Sequence, residues 1–202
     1  MSTLTTREIE NRLKGTGAKR LVVTPVLAPK QIGDASVDVR LGNQFIIFRL
    51  HTCGVFEPYK MLMSQLHTMQ ERHVVRFGDS FVLHPGTLAL GSTFEYICMP
   101  ADLEAQVEGR SSWARVGLQV ATATSVEPGF KGVLTLELSN VGTIPLRLYP
   151  GVRIAQLFFH EAKPPATDAY TGQRKYECAI GPEFSKIRND RDGSVFAGPI
   201  EE

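Results

Sequence analysis

From Leu21 onward the chain is a succession of short apolar runs separated by glycine, proline and aspartate. Valine, isoleucine, phenylalanine and threonine dominate these runs, and such residues favour strands because their side chains pack well on a pleated surface. The runs lie at 21–26, 37–41, 44–50, 74–77, 80–83, 87–96 and 133–141. Many short strands at this spacing predict a mainly β fold, a distorted β-barrel or jelly roll with a few short helices.

One helix is predicted before the first strand. Thr5 and Glu8 have the spacing of a capping box, and Leu4 and Ile9 are placed to form a hydrophobic staple around it. The helix should cover residues 6–14 and pack through a single apolar stripe.

The chain of 202 residues is long enough to bury one good core. We expect residues 1–162 to form one β domain that includes the N-terminal helix. Residues 163–202 are polar, with scattered glycine and proline, and cannot build a core of their own. This tail is expected either to be disordered or to fold over a site as a lid.

The net charge and the cysteine content restrict the partners and the cellular setting expected for this chain. The net charge of +1 gives no basic field for nucleic acid or for an acidic membrane surface. Three widely separated cysteines argue against a disulfide framework. No apolar stretch has signal-peptide or membrane-spanning character, so a cytoplasmic location is expected by exclusion.

The segment 109–118, with sequence GRSSWARVGL, concentrates anion-binding groups. It is predicted to form a short helix, with Ser111 and Ser112 in its first turn. A helix start presents free N–H groups, and the guanidinium groups of Arg110 and Arg115 fit phosphate oxygens. An anion site is therefore expected here, although a capped helix with a solvated arginine would show the same local pattern.

A turn at 127–132 leads into a strand that carries an unusual carboxylate. Leu134, Leu136 and Leu138 share one face of that strand, and Glu137 falls on the other. A carboxylate within so apolar a strand is uncommon. Either this second face is wet, or Glu137 lies in a pocket with partners.

The sequence lacks the catalytic motifs of several enzyme classes. The His-x-Glu and Pro-Cys-x-x-Cys motifs of zinc-dependent base deaminases are absent, so no protein-bound zinc is expected. There is no Gly-x-Ser-x-Gly elbow for a serine hydrolase and no P-loop.

Four ordered blocks, at 34–42, 109–118, 126–132 and 150–157, resemble the dCTP deaminase family of the dUTPase-like superfamily. The resemblance implies a homotrimer with active sites at subunit boundaries. It also implies dCTP as the substrate, with Mg²⁺ carried on its triphosphate, and hydrolytic deamination to dUTP and ammonia with Glu137 as the general base. Asp38 and Arg40, in the first block, are interpreted as a structural pair.

The resemblance also implies roles for other side chains. Residues expected to hold phosphates and orient the catalytic water are Arg110, Ser111, Ser112 and Arg115, with Gln156 reaching phosphate from a neighbouring strand. Residues expected around the sugar and base are Ala123, Thr124, Val126, Glu127 and Phe130, of which Val126 and Phe130 would exclude a 2′-hydroxyl. Residues expected in the closing tail are Tyr170, Lys175 and Tyr176.

The chain departs from the family pattern at three places. Glu127 replaces the usual aspartate, the segment 119–126 is one residue shorter and lacks a histidine, and Ala179 replaces a glutamine. The pyrimidine preference therefore stays open. The alternatives are a dUTP pyrophosphatase, a bifunctional enzyme that forms dUMP, and a non-catalytic nucleotide-binding homologue.

Overall fold

The computed structural model describes residues 2–27, 30–49, 55–57, 59, 65, 68–121, 125–163 and 175–190. Helix α1 covers Thr6–Lys14, as predicted. The carboxylate of Glu8 accepts hydrogen bonds from both the backbone N–H and the hydroxyl of Thr5, each at 2.8 Å. Ile9 is fully buried, so the apolar stripe anchors the helix to the core.

Short strands make up most of the described chain. They are β1 (Val22–Thr24), β2 (Ser36–Arg40), β3 (Gln44–Phe48), β4 (Gln70–Val74), β5 (Phe81–Leu83), β6 (Leu88–Ser92), β7 (Tyr96–Cys98), β8 (Leu103–Gly109), β9 (Leu118–Ala121), β10 (Ser125–Val126), β11 (Lys131–Gly132), β12 (Thr135–Asn140), β13 (Leu146–Leu148) and β14 (Arg153–Glu161). A second helix, α2 (Ser111–Ala114), follows β8. The prediction of a mainly β fold with a few short helices is confirmed.

The strands form an open, distorted barrel from four sheets. The two larger sheets have the strand orders β10-β8-β14-β2 and β4-β3-β6-β12-β9, and the smaller ones have the orders β1-β7-β11 and β13-β5. One continuous apolar core lies between them, with Phe45 and Phe159 among its largest fully buried side chains. Because side chains alternate along each strand, residues opposite the core line the sites described below.

Three predicted boundaries or pairings are wrong. The strand expected at 74–77 lies instead at Gln70–Val74. The run 87–96 is two strands, because the chain leaves β6 at Thr93 and turns inward to bury Glu95 completely. Arg40 pairs with Glu95 at 2.8 Å rather than with Asp38. Hydrogen bonds to the Arg40 backbone N–H and to Gln31 complete the coordination of the Glu95 carboxylate.

The described tail, residues 175–190, packs on the β domain. Its backbone joins β11, with Cys178 donating to the carbonyl of Lys131 at 2.7 Å. Arg72 of β4 donates to the carbonyl of Pro182 at 3.2 Å and lies 4.9 Å from the ring centroid of Phe184. The division into a domain at 1–162 and a lid at 163–202 stays a prediction. Among the described residues, no helix combines the length and the apolar character that a membrane crossing requires.

Candidate active site

A cavity of about 880 Å³ lies between the strand face that carries Glu137, the turn at 127–130 and the tail. Its volume is within the range of small-molecule sites. Its walls are largely apolar, with polar groups at the strand and at the tail. The lining residues are Phe48, Leu88, Leu90, Val107, Ser125, Val126, Glu127, Phe130, Val133, Leu134, Thr135, Glu137, Lys175, Tyr176, Ala179, Glu183, Ser185 and Asn189.

Glu137 is the carboxylate on the strand wall of this cavity. Strand β12 alternates buried and half-buried side chains, so Glu137 shares the cavity face with Thr135, away from the core. In the sheet it stands opposite Leu90 on one side and Ala121 on the other. Its Oε2 atom is buried and accepts no hydrogen bond from any residue of the described ranges.

The surroundings of Glu137 favour its protonated form. Burial raises the pKa of this carboxyl, and a hydrogen bond from its own backbone N–H opposes that rise only in part. A carboxylate with a raised pKa is a stronger base than an ordinary glutamate, and its unpartnered oxygen can accept a proton from a water in the cavity.

The turn after β10 forms a second wall. Phe130 donates its backbone N–H to the carbonyl of Glu127 at 3.2 Å, and Gly129 occupies the left-handed region at φ 82°, which closes the turn. Val126 is 3% exposed and Phe130 is 8% exposed, so both present apolar atoms to the cavity. The predicted set Val126, Glu127, Phe130 and Glu137 is thus brought together.

The tail forms the third wall of the cavity, and two of its residues, Lys175 and Tyr176, are predicted site residues. Lys175 pairs with Asp190, and the Tyr176 hydroxyl accepts a hydrogen bond from the backbone N–H of Lys186 at 2.9 Å. The Lys186 ammonium also lies 5.2 Å from the centroid of the Tyr176 ring. These contacts hold both predicted residues against the cavity within the same chain.

The arginine–serine segment lies elsewhere. Helix α2 is a single turn of four residues with Arg110 at its N-cap, so a helix terminus adds little to anion binding here. Arg110 donates its backbone N–H to the carbonyl of Ile154 at 3.2 Å, and the Trp113 indole donates to the carbonyl of Arg153 at 3.0 Å. Neither these residues nor Ser111, Ser112 and Arg115 line the Glu137 cavity.

The register of the sheet shows how far Glu137 lies from the arginine–serine segment. Glu137 faces Ala121 at one end of β9, whereas Asn140 faces Leu118 at the end next to α2. The three residue steps between these two pairs correspond to about 10 Å along the strands. The predicted site residues therefore fall into two clusters on one chain.

The second cluster is organised by a residue whose contacts the sequence reading missed. Asp38 accepts hydrogen bonds from Gln156 Nε2 at 3.0 Å and from Arg153 Nη1 at 2.9 Å, and its Oδ1 lies 3.8 Å from Nε of Arg110. The predicted residues Arg110 and Gln156 are thus brought together through a carboxylate that was interpreted as half of an Asp38–Arg40 pair.

Some predicted residues lie outside the described ranges, namely Ala123, Thr124 and Tyr170. Thr135 was missed, although its position two residues before Glu137 on the same strand face was a usable signal. The tail residues Glu183, Ser185 and Asn189 carry no such signal, because their approach depends on the path of the tail. Within the described ranges, no group of three histidine, cysteine or acidic side chains is arranged to hold a metal ion.

Comparison with known proteins agrees with this architecture. The chain is 45% identical over 176 residues to a dCTP deaminase from Haloarcula marismortui, covering 85% of this chain and 89% of that one. It is also 45% identical over 165 residues to a dCTP deaminase, dUMP-forming, from Halobacterium salinarum, with coverages of 80% and 84%. The solved structure of a 2′-deoxycytidine 5′-triphosphate deaminase from Agrobacterium tumefaciens matches with a TM-score of 0.60 at 24% identity.

That structural match covers 79% of this chain and 48% of the Agrobacterium chain, and at this identity it speaks for the fold alone. The profile of the dCTP deaminase-like family matches residues 3–162, which is most of the chain. The relatives at 45% identity cover four fifths or more of its length. The chain therefore belongs to the dCTP deaminase-like family.

Proposed function

We propose that this protein hydrolyses dCTP to dUTP and ammonia without a protein-bound metal, and that Glu137 is the general base. The observation that carries the proposal is the Glu137 carboxylate in a largely apolar cavity of about 880 Å³, with one buried oxygen free of partners among the described residues. The names of the relatives supply the substrate.

The proposed chemistry needs one carboxylate. Glu137 takes a proton from water as the water oxygen bonds to C4 of cytosine. The proton then passes to the 4-amino nitrogen of the tetrahedral intermediate, and the C4–N bond breaks to release ammonia. The proton left on the new C4 hydroxyl moves to N3, which gives the uracil of dUTP. Burial that raises the pKa of Glu137 strengthens it as a base in the first step and lets it return the proton in the second.

Deoxyribose selection is assigned to the turn wall. Val126, Glu127 and Phe130 line the cavity at the turn, and we assign to the Glu127 carboxylate a hydrogen bond from the 3′-hydroxyl. A ribonucleotide would have to fit a polar 2′-hydroxyl against these apolar side chains, which costs binding energy. We therefore expect CTP to be turned over far less efficiently than dCTP, and similar values of kcat/KM for the two would contradict this assignment.

The triphosphate, with Mg²⁺ on its oxygens as part of the substrate, is assigned to Arg110, Ser111, Ser112, Arg115 and Gln156. Because these residues form a cluster apart from the Glu137 cavity, we propose that the site is completed between subunits of a homotrimer. Three exposed apolar side chains beside α2, Val116, Val141 and Ile144, support burial of this region in an assembly. The close approach of Gly117 to Gly142 holds the two loops that carry them together.

A bifunctional reaction that continues to dUMP is the second candidate. It is favoured by the Halobacterium relative, which is as similar as the Haloarcula one and is described as dUMP-forming. In-line attack on the α-phosphorus needs a well-placed carboxylate, and Glu127 is one methylene longer than the aspartate that the family usually has there. A misplacement of that order can cost roughly a hundredfold in rate, so we propose dUTP as the main product.

One assay separates the candidates. The protein is incubated with dCTP, dUTP or CTP in the presence of Mg²⁺, and ammonia and diphosphate are measured separately. We expect ammonia from dCTP with little diphosphate. Stoichiometric diphosphate from dCTP would establish the dUMP-forming reaction, and diphosphate from dUTP alone would establish a pyrophosphatase.

The variant Glu137→Gln tests the role of the base. It should bind dCTP but release no ammonia, because the amide cannot take a proton from water. Ammonia release at the wild-type rate would remove Glu137 from the mechanism. A wild-type protein that binds dCTP without any turnover would be a nucleotide-binding homologue.

A further inference from the structure

The carboxylate of Asp38 lies in the middle of the side chains assigned to the phosphates. Its two oxygens contact three different side chains, namely Gln156 through Oδ1, Arg153 through Oδ2, and Arg110 at 3.8 Å from Oδ1. The residue is 6% exposed. A nearly buried carboxylate beside arginines that we assign to the phosphates is unexpected on charge alone, since its negative charge weakens the attraction of those arginines for an anion.

The cluster is built by an irregularity in strand β14. Arg153 stands opposite Arg40 in β2, and Ala155 stands opposite Val39, so Ile154 is an extra residue in the ladder. This bulge turns Arg153 to the face that Gln156 occupies, where both reach Asp38. The carbonyl groups of the bulge accept hydrogen bonds from the Arg110 backbone and the Trp113 indole, which fixes the start of α2 to the same point.

The direction of each contact indicates what Asp38 does. It contacts Arg110 on the Nε side of the guanidinium, and the Nη atoms lie further out along the side chain. It accepts from the Gln156 amide nitrogen, so the amide oxygen and the second N–H point away from Asp38. The hydrogen bond restricts the Gln156 rotamer, and the 3.8 Å approach to Arg110, which is longer than a hydrogen bond, biases the guanidinium by charge before any anion arrives.

We propose that Asp38 is a positioning residue for nucleotide binding, which holds Arg110 and Gln156 in the orientation that receives the triphosphate and is itself held by Arg153. The inference rests on the proposed function, and it assigns to Asp38 a role that acts through its neighbours. Preorganisation outweighs the electrostatic cost of the carboxylate because the side chains need not be ordered when the nucleotide binds.

The test compares Asp38→Asn and Asp38→Ala with a matched control. Asp102 forms a two-point ion pair with Arg12, at 3.1 and 2.7 Å, and its side chain is 15% exposed against 8% for that of Asp38. Within the described ranges, the Asp102 side chain contacts neither the Glu137 cavity nor the Asp38 cluster. Asp102→Asn removes a comparable Asp–Arg pair, so it reports the effect of lost stability alone. Each variant is assayed for KM and kcat with dCTP, for inhibition by inorganic tripolyphosphate, and for thermal unfolding.

We expect Asp38→Asn to raise the KM for dCTP by about tenfold, and Asp38→Ala to raise it further because the acceptor for Gln156 is also lost. The inhibition constant of tripolyphosphate should rise in parallel, whereas kcat should change much less. The control Asp102→Asn should leave the KM and the tripolyphosphate inhibition constant at wild-type values. An unchanged or lowered KM in Asp38→Asn would overturn the proposal, because the carboxylate would then act only as a repulsive charge.

A second variant covers the case in which the Asp38 variants do not fold. Arg153 has a side chain that is 42% exposed, so Arg153→Gln removes the charge that holds Asp38 with little risk to the core. It should raise the KM in the same direction, and a wild-type KM would contradict the arrangement. If the wild-type protein itself does not turn over dCTP, the proposed function fails. If it does and these variants match it, only the positioning inference fails.

Discussion

Burial of Glu137 ties catalysis to stability at the scale of a single residue. The pKa of this carboxyl is raised in the folded state, so the folded protein binds the proton more tightly than the unfolded chain. The associated stability is fully present below the ordinary glutamate pKa and is lost as the pH rises through the raised value. Wherever the pH ionises Glu137, its charge therefore makes the fold less stable than a neutral side chain would.

Replacement of Glu137 should change how thermal stability depends on pH. Relative to the wild type, Glu137→Gln should gain thermal stability progressively as the pH is raised from about 5 to 8, because the amide cannot ionise. The measurement is the difference in Tm at each pH.

Glu71→Gln is the control of opposite sign. A hydrogen bond from Arg49 lowers the pKa of Glu71, so its stabilisation is present above the ordinary pKa and lost as the pH falls through the lowered value. Its replacement should cost stability at neutral pH and converge on the wild type in acid. A Glu137 variant that behaved in the same way would show that Glu137 has a stabilising partner.

The sequence pattern predicts the Glu137 cavity better than the cluster around Asp38. Glu137 was marked by its alternation with leucines, and strand geometry alone places it opposite the core. The contacts of Asp38 were not predictable in this way, because they depend on a one-residue bulge 115 residues away in the sequence. Nothing in the sequence around Arg153 distinguishes a bulged strand from a regular one.

At the scale of elements, strand β4 shows why one boundary was misplaced. Its sequence, QERHV, contains a single apolar residue and has no apolar alternation. In the described part of the chain, the strand lies at the end of its sheet and pairs with β3 alone, so its side chains stay partly or fully exposed. A strand with one buried face has alternating apolar residues, and this alternation is what identifies strands in a sequence. A polar strand at the end of a sheet has no buried face and therefore lacks the alternation.

The same strand carries a prediction about the tail. Arg72→Ala should loosen residues 181–186, because it removes the hydrogen bond to Pro182 and the contact with the Phe184 ring. The two contacts together are worth about 1–2 kcal/mol of local stability. Hydrogen exchange of the tail peptide should become faster, and the KM for dCTP should rise because Lys175 and Tyr176 are held less firmly over the cavity.

The matched control is Arg49→Ala. Arg49 follows β3, and in the described part of the chain its guanidinium pairs with Glu71 of the neighbouring strand rather than with the tail. It should leave both the exchange of the tail and the KM unchanged. Equal effects of the two substitutions would mean that the charge of this surface, rather than docking of the tail, controls binding.

At the scale of the whole molecule, the two separate clusters predict that catalysis is shared between copies of the chain. Arg115→Ala and Glu137→Gln should each be inactive alone. Refolded together as a random mixture, they should recover about a quarter of wild-type activity, because that share of intersubunit sites receives both intact halves. Light scattering should show a trimer for each preparation.

Mixing without recovery would instead mean that Arg115 and Glu137 act within one chain. The wild-type protein mixed with either variant provides the control, since its activity should fall in proportion to dilution by the inactive half-sites. A monomer at micromolar concentration would contradict the assembly directly.

The tail has a further consequence for the molecule, through its bond to β11. Sheet β1-β7-β11 has β11 as its last strand, and the tail continues the ladder, with Cys178 donating to Lys131 and Val133 donating to Ala179 at 2.9 Å. Gly132, at φ 146°, allows this approach, because a Cβ there would lie 3.0 Å from the Ala179 nitrogen. Without the tail, these backbone groups would form an open template for strands of other chains.

Deletion of residues 165–202 should therefore do more than raise the KM for dCTP. The truncated protein should self-associate into aggregates whose amount grows with concentration, and sedimentation would separate them from the trimer. The segment assigned to cover the substrate would then also protect the protein from its own copies, so loss of the lid would be a hazard to solubility as well as to catalysis.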